Sequence, residues 1–148
     1  MPENEKDPLQ RDDALRELNR SLELEARAAL AYAVAAASLT GMEVQYLRDE
    51  LYHFAVRELE DTRRLVEKIV ALGGDPSTDI ASVAFDRDAR GALEKLVAND
   101  EETLEALVEV IPHTGSVGEG EALEHLVEHL ILRKQEQIDF LRRALGPS

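Results

Sequence analysis

FAVRELEDTRRLVEKI, residues 54–69, reads as an amphipathic helix until its middle. Phe54, Leu65 and Ile69 fall on one face at helical spacing, but Glu58 and Asp61 stand where that apolar stripe should continue. An uncompensated carboxylate inside a protein costs several kcal/mol. A helix that aims two of them inward therefore needs a reason.

Outward from this stretch the same pattern fills four segments. The first helix is expected from Asp7, as N-cap with Pro8 at the first helical position, to about Leu39, stopped at Gly41. The second is expected from about Glu43 to Leu72, before the breaker GGDP. GDPSTDIASVAF (74–85) is a longer connection to the third helix, which Asp86 can cap and Pro112 ends near Ile111. HTGSVGEGE (113–121) makes the next turn, with Ser116 and Glu119 at capping-box spacing, and the fourth helix runs to Leu145. MPENEKD (1–7) is polar and expected to be disordered.

The stripes step alternately by three and four. They read Leu15, Leu18, Leu22, Glu25, Ala29, Tyr32, Ala36 in the first helix, and Leu47, Leu51, Phe54, Glu58, Asp61 with Thr62, Leu65, Ile69, Leu72 in the second. The third gives Leu93, Leu96 or Val97, Asp100, Leu104, Leu107, Ile111, and the fourth Leu123, Val127, Leu130, Lys134, Gln137, Leu141, Ala144. Four such seams predict an all-α fold, an antiparallel four-helix bundle forming a single domain over residues 1–148.

Composition agrees. Hydrophobic residues make up 44% but aromatics only 4%, so the core is built from Ala, Leu, Val and Ile, which suits packed helices. A net charge of −14 repels phosphate backbones and anionic lipid, which argues against nucleic-acid and membrane partners. No run approaches the ~20 apolar residues of a spanning helix, and no basic-then-apolar leader opens the chain. The absence of cysteine excludes disulfides and thiolate chemistry. The expected location is the cytoplasm.

Each stripe is broken once, near its centre, by polar groups. Glu25 lies about 16 residues before the first turn and Glu58 about 17 after it, so at about 1.5 Å per residue they sit at one level. Asp100 and Lys134 match to about a turn in the same way. The breaks predict one polar layer across the core: Glu25, Glu58, Asp61, Asp100, Lys134 and Gln137. Bundles that gather carboxylates so are typically di-iron or di-manganese sites, with one Glu on two helices and Glu-x-x-His on the other two.

LNRSLELEARAALAY (18–32), YHFAVRELEDTRRLVEKIVALGG (52–74) and QIDFLRRAL (137–145) resemble the ferritin-like superfamily, bacterioferritins in particular. The resemblance implies that Glu25 is the first-helix iron ligand and Glu58 the bridging one. It places Tyr32 beside the site and His53 at the inner mouth of a pore, and it implies a homo-oligomer. Departures are as informative. Asp61 replaces the first liganding histidine, Asp100 (or Glu101, one register on) replaces a glutamate, and Lys134-x-x-Gln137 replaces the second Glu-x-x-His. Leu59 replaces the haem-ligating methionine, so no haem is expected.

Four carboxylates against one Lys134 ammonium leave three negative charges. One divalent ion would nearly cancel them, whereas a second would meet a cation already in its place: two unit charges ~4 Å apart repel by about 4 kcal/mol at an effective dielectric near 20. The resulting expectation is iron or divalent-metal handling by an eroded ferroxidase centre. Glu25, Glu58, Asp61 and Asp100 would hold at most one Fe, Mn or Zn ion, and any residual enzyme activity would be oxidation of Fe(II). The alternative is a metal-free structural or interaction module in which Lys134 pairs the carboxylates. A further candidate is an outer site at His125 and His129, an i, i+4 pair near Glu121 and Glu128.

Overall fold

RDDALRELNRSLELEARAALAYAVAAAS contains neither glycine nor proline, and it forms one unbroken helix, α1 (Arg11–Ser38). The 30 residues of α2 (Met42–Ala71) are likewise free of breakers. The structure, a computed structural model, describes residues 7–147. The disorder expected of residues 1–7 lies outside the described residues, apart from Asp7. After α2 come α3 (Ala89–Val108), a short 3-10 turn (Ile111–His113) and α4 (Gly118–Leu145). No strand occurs among the described residues. The all-α four-helix bundle expected from the stripes is the fold.

α1 and α2 form one hairpin, α3 and α4 the other. α1 packs along both α2 and α3, and α3 along α4, whereas α2 and α4 approach each other at few points. The connection after α2 lies along α1: the Asn19 side chain donates to the Asp75 carbonyl (3.1 Å) and accepts from the Ser77 amide (2.8 Å), and the Ser77 hydroxyl donates to Glu23 (2.8 Å).

Three expected caps are corrected. α1 begins at Arg11 after Gln10, not at Asp7-Pro8, because Asp7 is used elsewhere: its amide donates to the Ser116 hydroxyl (3.0 Å) and its carbonyl accepts from the Ser116 amide (2.9 Å). Asp7 is thereby an ordered strap across the second hairpin. The same contacts dissolve the capping box expected at Ser116 and Glu119, since Glu119 instead pairs with Arg11 (3.1 Å) and α4 starts after Val117. Asp88, not Asp86, caps α3, accepting from the Gly91 amide (2.9 Å), while Asp86 accepts from the Asp88 amide (2.9 Å). Asx residues two apart compete for a helix start, and local turn geometry decides between them.

The core is divided in two. Tyr32, Leu39, Leu47, Leu51, Phe54, Leu93, Leu96 and Leu141 pack at the end holding the α1–α2 turn. Leu18, Leu22, Leu65, Ile69, Leu107, Leu123, Val127 and Leu130 pack at the other. Every helix passes from one cluster to the other through the predicted polar layer. The stripes hold with small shifts: Leu15, Ala29 and Leu104 are only partly buried, and Thr103 takes an inward place in α3 beside Leu107.

Gly120 lies buried in the first turn of α4, where a Cβ would fall 1.7 Å from the Thr114 carbonyl oxygen; at Gly118 a Cβ would meet nothing. Gly120→Ala is expected to lower unfolding free energy by about 2–3 kcal/mol in a denaturant titration. Gly118→Ala is expected to be neutral or to stabilise by up to about 1 kcal/mol.

Candidate metal centre

Each carboxylate of the layer is carried inward by a helix that has no alternative orientation, because apolar residues one turn to either side on the same face are locked in the two clusters. Glu25 and Glu58 are 0% exposed, and Asp61, Asp100 and Lys134 each 1%. Gln137 and Tyr32 are fully buried beside them. The register question in α3 is settled: Asp100 faces the core, while Glu101 lies outside and pairs with Arg142.

Lys134 Nζ stands among three carboxylates, bonded to Glu58 and lying 3.5 Å from Glu25 Oε2 and 3.6 Å from Asp100 Oδ1. Gln137 donates its amide to Glu58 Oε1, and the Tyr32 hydroxyl donates to Asp100 Oδ2. Asp61 is tied on its outer side to Arg133, whose Nε lies 3.0 and 3.1 Å from the two carboxylate oxygens.

On the other side of Lys134 the carboxylates turn towards each other. Glu25, Glu58 and Asp61 each offer an oxygen within 4.8 Å of the other two, the single such grouping of three or more acidic or histidine ligands among the described residues. Glu25 Oε1 and Glu58 Oε2 accept no hydrogen bond, and Asp61 Oδ1 has only the Arg133 ion pair beside it. Buried carboxylate oxygens without partners are strongly disfavoured unless a cation or proton lies between them. Asp100, expected as a fourth ligand, falls outside the grouping, held by Tyr32 and facing Lys134.

Electrostatics show what compensates the layer in the absence of metal. Burial, then the neighbouring Glu58 charge, raises the Glu25 pKa well above the usual glutamate range. Burial pushes Glu58 the same way, but the Lys134 ammonium and hydrogen bonds from Glu25, Lys134 and Gln137 outweigh it and hold its pKa below the ordinary value. Glu25 thus favours its protonated form beside ionised Glu58. Burial raises Asp61 despite Arg133, and raises Asp100 to about 6 despite Lys134. Lys134 loses from burial, yet Asp100, Glu25 and Glu58 more than restore it, so its pKa lies above the usual lysine value and it stays charged. Tyr32, raised by burial and by Asp100, remains a neutral phenol that donates.

Arg133 was not among the sequence candidates. It sits one place off the α4 stripe, and only its long stem lets it reach back to Asp61; its position next to Lys134 was the available signal. With it, four carboxylates face two fixed cations. One divalent ion that displaces the Glu25 proton leaves the layer neutral, and the facing oxygens of Glu25, Glu58 and Asp61 give it hard donors, so the residues fit one ion. Lys134 lies between Glu58 and Asp100, and neither Asp61 nor Gln137 brings an imidazole.

The remaining candidates lie elsewhere. His53 is exposed on α2 beside the Phe54 ring. His125 and His129 are exposed on α4, and no third ligand joins them in a metal-sized group among the described residues.

A bundle whose middle is a layer of inward carboxylates defines a ferritin-like protein. The family model for the ferritin-like domain matches residues 15–147, and the chain belongs to that family. Among solved structures it is similar to one described as ferritin-like, diiron-carboxylate proteins from Bacillus anthracis str. Ames, at 24% identity and a TM-score of 0.83, covering 93% of this chain and 98% of that one. No curated protein matches it in sequence.

Lys134→Met removes the ammonium from three carboxylates, and in chelator-treated protein is expected to cost about 3–5 kcal/mol of unfolding free energy. Glu25, Asp61 and Asp100 have folded pKa values raised above their unfolded ones. Their stabilisation is present below the unfolded values and lost as pH rises through the folded ones, while that of Glu58, whose pKa is lowered, persists above about pH 5. The melting temperature of metal-free protein is therefore expected to fall as pH rises through about 6, where Asp100 ionises, and Glu25→Gln to flatten the decline that continues above it.

Proposed function

We propose that this chain is a ferritin-like protein of divalent-metal handling that holds one ion in its core on Glu25, Glu58 and Asp61. The observation that carries the reading is the convergence of three buried carboxylates, Glu25, Glu58 and Asp61, each offering an oxygen within 4.8 Å of the other two. Lys134 takes the place a second ion would need. The diiron-carboxylate description of the similar Bacillus anthracis structure supports the location of the site, but not its stoichiometry here.

Hard oxygen donors suit Fe(II), Mn(II) and Zn(II) alike. With iron bound, the chemistry available is oxidation of Fe(II) by dioxygen or peroxide. The protein's own residues bind and orient: Glu58 is fixed by Lys134 and Gln137, and Tyr32 and Gln137 exclude water from the Asp100 side. Leu59 offers no donor for haem. The reading takes the chain to be a cytoplasmic homo-oligomer, and the apolar outer face of α1 and α2, with Leu30, Tyr52, Val56 and Leu59 exposed, supports self-association. The acidic charge argues against nucleic acid, and no helix among the described residues is long and apolar enough to cross a membrane.

A second reading is favoured by one specific feature. Lys134, Arg133 and the proton on Glu25 already offset three of the four carboxylates, as a metal-free bundle acting as a structural or interaction module would require.

Elemental analysis of untagged protein purified without chelator separates the two. The metal reading expects about one ion per chain and a melting temperature that rises with Mn(II) or Zn(II), equivalent to about 2.7 kcal/mol at a hundredfold excess over Kd. Glu58→Gln, which keeps the shape but removes the charge, is expected to abolish both. Metal-free wild type whose melting ignores added metal would establish the module reading.

A further inference from the structure

Glu25, Glu58 and Asp61 are sealed from solvent, so an ion needs a way in. Three of the four helix–helix seams are closely packed, and the exception is the one between α2 and α4. At the level of the site that seam is closed by side chains. Asp61 is the ligand nearest to it, and the group between the Asp61 carboxylate and water is the Arg133 guanidinium, whose side chain is 23% exposed against 2% for Asp61.

We propose that Arg133 gates the carboxylate site, and that the α2–α4 seam is the path by which a divalent cation reaches it. This rests on the metal-binding reading above.

The attachment of Arg133 is suited to opening. Its guanidinium is held by Nε alone, on Asp61, and its terminal nitrogens make no hydrogen bond to any described residue. Turning the side chain outward breaks that single ion pair and returns a partly hydrated cation to water, and the Asp61 carboxylate it uncovers is the group the incoming ion then pairs. The backbone beneath it does not move with it. Arg57 crosses the seam from α2 and donates to the Arg133 carbonyl (3.1 Å) and to Glu136 (3.0 Å), which pins α4 at this level. Glu136, three residues along the same helix and exposed, offers the displaced guanidinium a carboxylate.

Lys134 cannot serve instead. It is buried among three carboxylates, and moving it would strand all three. The two adjacent cations therefore divide the work: Lys134 stays and blocks a second ion, and Arg133 moves and admits the first. While closed, Arg133 also sets a positive charge across the path of an incoming cation and slows it.

The test follows Zn(II) exchange with a zinc-responsive chelating dye by stopped flow, for wild type, Arg133→Gln and Arg133→Lys, each checked for wild-type helicity and cooperative melting. The gate predicts that Arg133→Gln takes up and releases Zn(II) at least tenfold faster, with unchanged stoichiometry. Arg133→Lys, which retains the charge, keeps the slow wild-type rates. Zinc uptake by Arg133→Gln when wild type takes up none within hours would support the gate in its tightest form. Equal rates in wild type and Arg133→Gln would overturn the gate and leave the metal site standing. Loss of zinc from Arg133→Gln with an unchanged uptake rate would overturn it too, making Arg133 a residue that orients Asp61. No zinc on any of the three proteins would overturn both the gate and the site it serves.

Discussion

Four carboxylates held at one depth of a bundle core, with a lysine among them, are the constraint on which the rest of the molecule depends. A layer of this kind cannot be left to solvent, because both flanks are closed by apolar clusters. Nor can it be left uncompensated, because the effective dielectric of a closed interior makes each unpaired charge costly. The fold meets the requirement in two ways. Lys134 is fixed as a permanent counter-ion, and the Glu25–Glu58–Asp61 corner is left to a proton or to a removable cation.

The division of the core follows from this. In most bundles the apolar seam is continuous, and stability is spread along it. Here the middle turn of every helix is committed to polar contacts, so hydrophobic stabilisation is concentrated at the two ends. Contacts that fasten those ends gain importance accordingly. The Asp7–Ser116 strap, the Arg11–Glu119 pair and the close fit of Gly120 under Thr114 all lie at the end that holds the α3–α4 turn. At the level of the layer itself, arginines from α2 and α4 span the seam where the helices approach least.

Ferritin-like frames are suited to such variation because the site is made of side chains pointing inward from rigid helices, and exchanging one side chain leaves the backbone unchanged. Gln137 at this level supplies a hydrogen-bond donor to Glu58. Placing Lys134 opposite it converts a position suited to a cation into one already occupied by a cation. Charge balance, more than shape, then bears most on what the corner that remains can hold.

The sequence alone was sufficient for the helices, their antiparallel pairing and the six residues of the layer. Those follow from the 3.6-residue period and a constant rise per residue, which are local properties of the backbone. It did not reach the caps at Asp7, Asp86 and Ser116. There several short polar residues compete for the same amides: contacts between segments 109 residues apart choose at Asp7 and Ser116, and local turn geometry chooses at Asp86. Nor could it decide between Asp100 and Glu101, since one residue is a 100° turn and only packing of α3 against α1 and α4 fixes that angle. The role of Arg133 and the separation of Asp100 from the other three carboxylates also had to come from the tertiary structure. Both depend on where long side chains end rather than where they begin, and that is set by neighbours on other helices.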